Sequence, residues 1–267
     1  MNRRTFVSML GVGGVVVAAN PLACAQSPAK PGGPPKVKNV VLVHGAYADG
    51  SCWSDVIPIL HSHGMTVASV QNPLRTLDED VAFTDRTLAL MDGPTMLVGH
   101  SYSGMVITQA GVDPKVTALV YVAARAPDAD EDYTALAKTF PTPPASAGLV
   151  KGADGYAQLS EQAFLTDFAQ DVDQARARTL YAVQGRISPE LFSGRVSHAA
   201  WRFKRSFYAV SRNDRTINPD LEQFMARRMN ATTVELDAGH LSMISKAHGV
   251  AALILQAADA GPTMTSR

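Results

Sequence analysis

Short segments rich in apolar and β-branched residues recur along the chain, and each predicts a β-strand. One of them, 40–43, is an unbroken apolar run, which is typical of a strand covered on both faces in a parallel sheet, and 116–123 is predicted to be another buried strand. The other segments are 65–70, 95–98, 205–211 and 231–236. Stretches with apolar residues at helical spacing lie between most of them. This alternation predicts a single large α/β domain.

The strand at 95–98 leads directly into the motif G-H-S-Y-S-G, and a helix-compatible segment follows it. Ser101 therefore lies where a buried strand turns sharply into a helix. Such a turn needs small residues two positions to either side of the serine, because strand and helix approach closely there. Gly99 meets this requirement, whereas Ser103 stands where a second glycine is usual. The motif and its context predict a nucleophile elbow with Ser101 as the nucleophile.

This stretch resembles the nucleophile elbow of the α/β-hydrolase fold. The resemblance implies a mostly parallel central sheet with helices on both faces, an oxyanion loop earlier in the chain, and an acid followed by a histidine later. Residues 44–46, His-Gly-Ala, directly follow the first strand and resemble that oxyanion loop. By this match the backbone N–H groups of Ala46 and Tyr102 are expected to stabilise the developing oxyanion.

Two later residues fit the chain order Ser, Asp, His that this fold uses. Asp214 lies at the carboxyl end of a predicted strand, where catalytic groups collect in open α/β sheets, although its neighbouring arginines also permit a plain ion pair. Glu222 is explained more simply by the first turn of the next helix. His240 lies in the loop after the last strand. We therefore expect Ser101, Asp214 and His240 to form a catalytic triad.

The strand pattern is interrupted over a long interval, about 125–200. In α/β-hydrolases an insertion after this strand carries the cap, so the resemblance implies a helical cap here, and such loops commonly decide specificity. Several large apolar residues are candidates to line an apolar substrate pocket, although each taken singly is more often part of the cap core. They are Tyr133, Phe140, Leu149, Tyr156, Phe164, Phe168, Tyr181, Phe192 and Trp201.

The motifs H-G-A, G-H-S, R-N-D-R-T and the late G-H together resemble the small-ester branch of the fold, which includes methylesterases, pyrethroid-type carboxylesterases and hydroxynitrile lyases. The resemblance implies a serine carboxylesterase that cleaves small to medium carboxylic esters through an acyl-enzyme on Ser101. Leu241 follows the histidine where the cyanohydrin lyases carry a lysine, which disfavours a lyase. A lactonase, or a cofactor-free non-hydrolytic enzyme on the same fold, is left open.

A non-catalytic protein that uses the pocket to bind a small molecule is the alternative from another functional class. Such a protein would be free to lose the triad residues, and all three are present. Neither a cofactor nor a metal ion is expected. His61 and His63 have a spacing seen in metal sites, but a helix end closed by Gly64 explains them and no further ligand cluster is visible.

The charge balance narrows the range of partners. The chain carries 24 basic and 24 acidic residues, and charged residues make up 18% of its 267 positions, against about a quarter in an average soluble protein. We therefore expect a small neutral molecule rather than nucleic acid as a partner, and the resemblance implies that this molecule is a small apolar ester. The sequence leaves the oligomeric state open.

The first 25 residues differ in character from the rest. Paired arginines, Arg3 and Arg4, precede a weakly apolar stretch rich in Gly, Val and Ala, and small residues stand at Ala23 and Ala25. This pattern predicts an export signal of the twin-arginine type, cleaved after Ala25, and hence a periplasmic or secreted bacterial protein. The apolar part is too short for a stable membrane span.

Lipid anchoring at Cys24 is the alternative to cleavage, and Pro21, three residues before it, disfavours that reading because an apolar side chain is expected there. Residues 26–38, rich in Pro and Gly, are then predicted to form a linker. The predicted α/β domain spans 39–267, including the cap.

Overall fold

The computed structural model describes residues 35–261. The predicted export signal, 1–25, lies outside the described residues, as does most of the predicted linker, 26–38. Within the described range, every helix falls short of the length and apolar character that crossing a membrane requires.

A six-stranded sheet forms the centre of the described domain, and all neighbouring strands run parallel in the order β2-β1-β3-β4-β7-β8. This confirms the predicted parallel α/β architecture. The strands are β1 (Asn39–Val43), β2 (Thr66–Val70), β3 (Thr95–His100), β4 (Val116–Val122), β5 (Leu149–Lys151), β6 (Ala157–Leu159), β7 (Arg205–Ser211) and β8 (Thr232–Leu236).

Helices lie in the crossovers between the parallel strands, in the segment between β4 and β7, and after β8. They are α1 (Val56–Ser62), α2 (Leu77–Ala89), α3 (Ser103–Ala110), α4 (Tyr133–Ala137), α5 (Glu161–Ala163), α6 (Gln174–Ala182), α7 (Pro219–Arg228), α8 (Ser242–Ser245) and α9 (Ala247–Ala260). The crossover from β1 to β2 runs toward the β2 edge of the sheet, whereas those from β2 to β3 and from β3 to β4 run toward the β8 edge. Because such crossovers are right-handed, α1 lies on one face of the sheet and α2 and α3 lie on the opposite face. Helix α9 packs against α1.

Burial explains the composition of each strand. The central strands β1, β3 and β4 are buried along their whole length, which accounts for their mainly apolar composition. The edge strands β2 and β8 are partly exposed and correspondingly contain Thr, Ser and Glu. The core therefore lies along the middle of the sheet, directly beneath the turn that follows β3.

The carboxyl ends of parallel strands meet at one edge of a sheet, and ligand sites form there. The residues that follow β1, β3, β4, β7 and β8 at this edge are Ala46, Ser101, Arg125, Asp214 and His240. Side chains far apart in the sequence are thus brought together by the strand order alone.

The segment between β4 and β7 was expected to be a helical cap, and it is helical only in part. It contains α4, α5 and α6, but also the antiparallel pair β5 and β6. Gly155 has a φ of 81°, a conformation that suits glycine and allows the chain to reverse between the two strands. The short extended segments on either side then pair with each other instead of continuing as helix.

Candidate active site

The turn after β3 holds Ser101 in a strained conformation, with a φ of 54°. Two backbone amides fix this turn, because the Ser101 carbonyl accepts hydrogen bonds from Gly104 at 3.0 Å and from Arg125 at 2.9 Å. A Cβ at Gly99 would lie 2.6 Å from the Ser103 carbonyl oxygen, so helix α3 approaches the strand as closely as a nucleophile elbow requires.

The side chains of Ser101, His240 and Asp214 form a continuous chain of hydrogen bonds. Ser101 Oγ lies 2.8 Å from His240 Nε2, and His240 Nδ1 lies 2.6 Å from Asp214 Oδ2. All three residues are buried. A carboxylate oxygen can only accept, so Nδ1 carries the proton and Nε2 is left to accept from the serine hydroxyl. This arrangement can remove a proton from Ser101.

Backbone amides fix the carboxylate of Asp214. Its Oδ1 accepts hydrogen bonds from the N–H groups of Thr216 at 2.6 Å and Ile217 at 2.9 Å, which leaves Oδ2 to face His240. Charge-assisted bonds of this kind hold a carboxylate in one orientation.

The arginines beside Asp214 form ion pairs with other acids. Arg212 pairs with Glu235 at 2.9 Å, and Arg215 pairs with Asp167 at 2.7 Å. The plain ion pair that the sequence permitted for Asp214 is therefore absent from the described structure.

A second buried histidine, His100, contacts both the backbone and the ring of His240. His100 Nε2 donates a hydrogen bond to the backbone carbonyl of His240 at 3.0 Å, and the two rings lie 4.7 Å apart. Burial holds the pKa of His100 well below its ordinary value, and a positive charge on His240, when that ring is protonated, acts in the same direction. His100 therefore stays neutral and acts as a hydrogen-bond donor to the loop that carries His240. Phe168 covers another side of the His240 ring, at 5.1 Å.

The backbone N–H groups of Ala46 and Tyr102, predicted as oxyanion donors, have no hydrogen-bond acceptor among residues 35–261. Both residues line the same cavity as Ser101. Unpaired amides beside a nucleophile are the groups that stabilise a developing oxyanion. Their assignment to that role stays a prediction.

The oxyanion loop is held by a neutral histidine. His44 Nε2 accepts from the backbone N–H of Asn72 at 2.9 Å, so Nδ1 carries the proton and donates to the Gly45 carbonyl at 2.9 Å. Burial lowers the pKa of His44, in agreement with this neutral tautomer.

Ser103, which replaces the usual elbow glycine, has a partner that the sequence did not reveal. Its hydroxyl donates to the His44 carbonyl and accepts from Asn72 Nδ2 at 3.0 Å. Asn72 Nδ2 also donates to the His44 carbonyl, at 3.0 Å. This serine therefore links the elbow to the oxyanion loop by hydrogen bonds that glycine lacks.

A cavity of about 260 Å³ opens over Ser101. Its lining residues are Ala46, Tyr47, Ser101, Tyr102, Arg125, Ala145, Ser146, Leu149, Leu159, Phe192, Thr216 and Ile217. Of the cap residues expected from the sequence to line a pocket, Leu149 and Phe192 do so. Others, including Phe164, Phe168 and Trp201, are buried in the protein core.

Residues 40–253 match a family model described as "Alpha/beta hydrolase family". The matched range includes nearly the whole sheet, the elbow, and Ser101, Asp214 and His240. This chain belongs to the α/β-hydrolase family.

Two curated relatives of this α/β-hydrolase are esterases by name. A carbendazim hydrolyzing esterase from Nocardioides sp. (strain SG-4G) is 33% identical over 130 residues, 43% of this chain and 53% of the relative. Polyneuridine aldehyde esterase from Rauvolfia serpentina is 33% identical over 113 residues, 36% and 42% of the two chains.

The alignments thus span about half the length of these curated relatives or less. Among solved structures, a pyrethroid hydrolase from Sphingobium faniae JZ-2 has a TM-score of 0.71 at 21% identity, over 84% of this α/β-hydrolase and 98% of that chain. A methylesterase from Arabidopsis has a TM-score of 0.69 at 16% identity, over 83% and 98%. These relatives confirm the resemblance to the small-ester branch, and the structural likeness shows the shared fold.

Glu222 belongs to the site of this α/β-hydrolase, although the sequence suggested only a role at the helix start. Its side chain is fully buried, and Oε2 accepts from the Ser211 N–H at 3.0 Å. Burial first, and then the charge of Asp214, holds the pKa of Glu222 well above its ordinary value. The neutral form of this carboxyl is therefore favoured beside Asp214. Helical spacing with the buried Met225 and Ala226 was the signal available in the sequence.

The described part of the chain contains no cluster of three His, Cys, Asp or Glu side chains arranged to hold a metal ion. His63, one of the pair with metal-like spacing, lies exposed at the end of α1, where its Nδ1 contacts the Ile59 carbonyl at 2.9 Å. Its contact to the helix end agrees with the structural explanation given above.

Proposed function

We propose that this α/β-hydrolase is a serine carboxylesterase that cleaves small to medium carboxylic esters through an acyl-enzyme on Ser101. The observation that carries the proposal is the hydrogen-bonded chain of Ser101, His240 and Asp214, which opens into a cavity beside two unpaired amides. The esterase names of two curated relatives give it further support.

In the proposed reaction, Ser101 Oγ attacks the ester carbonyl carbon while its proton passes to His240 Nε2. Asp214 stabilises the imidazolium that forms. The carbonyl oxygen becomes an oxyanion and accepts hydrogen bonds from the N–H groups of Ala46 and Tyr102. Collapse of this intermediate breaks the ester C–O bond, and the alcohol leaves with the proton from His240. Water then repeats the sequence on the acyl-enzyme and releases the acid.

The cavity limits the size of the substrate. Its volume of about 260 Å³ is at or below the lower end of the range for small-molecule sites, roughly 300–1,000 Å³. Apolar side chains such as Leu149, Leu159 and Ile217 form much of its wall. We therefore propose an ester with short and largely apolar acid and alcohol parts.

A fluorophosphonate probe tests the proposal, because it forms a covalent bond only with an activated serine. We expect the full chain to be labelled, peptide mapping to find the label on Ser101, and Ser101→Ala to abolish both labelling and hydrolysis of short-chain esters. Absence of the label, or a label on another residue, would contradict the proposal. A binding protein without catalysis would retain its ligand but hydrolyse no ester.

We also propose that residues 1–25 direct export through the twin-arginine route. Expression of the full chain in a bacterium, followed by fractionation, should recover the protein outside the cytoplasm with a new N-terminus after Ala25. Replacement of Arg3 and Arg4 by lysine should retain it inside. Recovery of the uncleaved chain in the cytoplasm would count against this localisation.

A further inference from the structure

Arg125 is fixed in place beside the nucleophile by its own backbone. Its N–H donates to the Ser101 carbonyl at 2.9 Å, and a Cβ at Gly104 would lie 1.9 Å from the Arg125 carbonyl oxygen. The elbow and this residue are therefore in direct contact, and the Arg125 side chain lines the same cavity as Ser101.

The guanidinium of Arg125 packs against aromatic rings but has no anionic partner. Its central carbon lies 4.1 Å from the ring centroid of Phe192 and 4.8 Å from that of Tyr133. Its Nε is buried without a hydrogen-bond partner, and no carboxylate in the described range lies within 4.0 Å of its nitrogens. By contrast, Arg228, another arginine stacked on aromatic rings, pairs with Glu131 at 2.7 Å.

The tyrosines near Arg125 do not neutralise its charge. The tyrosines on which its charge acts are Tyr47, Tyr102 and Tyr133, and burial raises the pKa of each, to about 12 for Tyr47. These side chains are neutral at physiological pH. A permanent positive charge therefore faces the substrate cavity, partly withdrawn from water, and such a charge is costly until an anion pairs with it.

We propose that Arg125 binds a carboxylate on the substrate, so that the preferred esters carry a free carboxylate, as monoesters of dicarboxylic acids do. This inference rests on the proposed function and refines its substrate class. The planar guanidinium can form two charge-assisted hydrogen bonds to a carboxylate, while the apolar walls accommodate the methylene chain between that group and the ester. The expected substrate is then apolar along its chain and anionic at one end.

The first test compares esters that differ only in this charge. The substrates are the monomethyl and dimethyl esters of succinic, glutaric and adipic acids, and hydrolysis is followed by proton release in a pH-stat. We expect the wild-type enzyme to have a higher kcat/KM for at least one monoester than for the matching diester. Arg125→Gln should reduce this ratio by about 10- to 100-fold, mainly through KM, and Arg125→Lys should retain part of it.

Arg178→Gln is the matched control, because Arg178 is exposed and forms no ion pair in the described range. It makes the same change in net charge and should leave the ratio unchanged. A purely structural role for Arg125 would lower hydrolysis of both esters equally in Arg125→Gln. That result, or a wild-type preference for the diesters, would overturn the inference.

The second test separates the inference from the proposed reaction. Calorimetry measures binding of monomethyl glutarate and dimethyl glutarate to Ser101→Ala, which cannot turn either over. If Ser101→Ala binds the monoester more tightly than the diester, and Ser101→Ala/Arg125→Gln does not, the anion site is supported even when the wild-type enzyme cleaves no ester. Cleavage of both esters by the wild type, with equal affinities in Ser101→Ala, would overturn the anion site and leave the esterase proposal standing.

Discussion

Asp80 offers a test of how the core beneath the site responds to pH. It lies on α2 with no exposed surface, and its Oδ1 accepts from the Leu74 N–H at 3.0 Å. Its Oδ2 lies near the hydroxyl of Tyr102, and neither atom makes a well-formed hydrogen bond within residues 35–261. Burial raises the pKa of Asp80 from 3.8 to about 6, although the Leu74 amide acts in the opposite direction.

The sign of the effect on stability follows from proton binding. Between pH 3.8 and about 6, the folded protein holds a proton on Asp80 that the unfolded chain has released. The free energy of unfolding therefore falls as the pH rises through this window, and the full cost is present above pH 6. A difference of about two pH units at 1.36 kcal/mol each gives a cost of about 3 kcal/mol.

Asp80→Asn removes this cost, because the amide stays neutral and its oxygen can still accept from Leu74. We expect the variant to match the wild type near pH 4 and to exceed its free energy of unfolding by up to about 3 kcal/mol at pH 8. Urea denaturation followed by circular dichroism at both pH values measures the difference. Asp78→Asn, on the exposed side of the same helix, is the control and should show no such gain.

Two outcomes would refute this reasoning. One is a stability difference between Asp80→Asn and the wild type that does not change with pH. The other is a variant less stable than the wild type at pH 8, which would mean that ionised Asp80 is stabilised by its surroundings. Either result would show that burial does not dominate the energetics of this side chain.

Two further predictions concern residues that support the site. Ser103→Gly restores the usual elbow motif but removes the hydrogen bond to the His44 carbonyl. We therefore expect the free energy of unfolding in urea to fall by about 1 kcal/mol and kcat/KM for a small ester to fall about tenfold. A variant with unchanged or faster hydrolysis would contradict the link to the oxyanion loop. Glu222→Gln keeps an acceptor for the Ser211 N–H but has no titratable group, so it should be at least as stable as the wild type at pH 8. Glu222→Ala removes the acceptor and should lower the free energy of unfolding by about 1–3 kcal/mol. Equal losses of stability in both variants would show that the buried carboxyl is ionised.

The parts of the fold that the sequence predicted are those controlled by local pattern. The buried strands β1, β3 and β4 are mainly apolar, and the turn after β3 combines small residues with a serine. Strand order then brings the strand ends together, so candidate residues separated by more than a hundred positions, such as Ser101 and His240, could be paired in advance. Their chemical roles stay predictions until the serine is labelled.

The cap was less predictable because its structure depends on contacts with the rest of the domain. Its aromatic residues look alike in the sequence, yet Phe192 lines the cavity while Phe164 is buried in the core. Periodicity cannot separate these cases, since both kinds of surface favour large apolar side chains. The β5 and β6 pair was missed because each strand has only three residues.

Three polar residues near the site, Ser103, Glu222 and Arg125, could not be recognised from sequence motifs, and the physical reason is the same for each. Ser103, Glu222 and Arg125 each have an ordinary explanation in the sequence, as a small turn residue, a first-turn acid and a loop arginine. Their significance depends on which partners burial leaves to them: a carbonyl for the serine, a neighbouring carboxylate for the glutamate, and no described anion for the arginine. Motif residues set the reaction that the site can perform. The proposed role of Arg125, whose charge has no anionic partner within residues 35–261, is to distinguish between substrates, and the comparison of monoesters with diesters measures that difference directly.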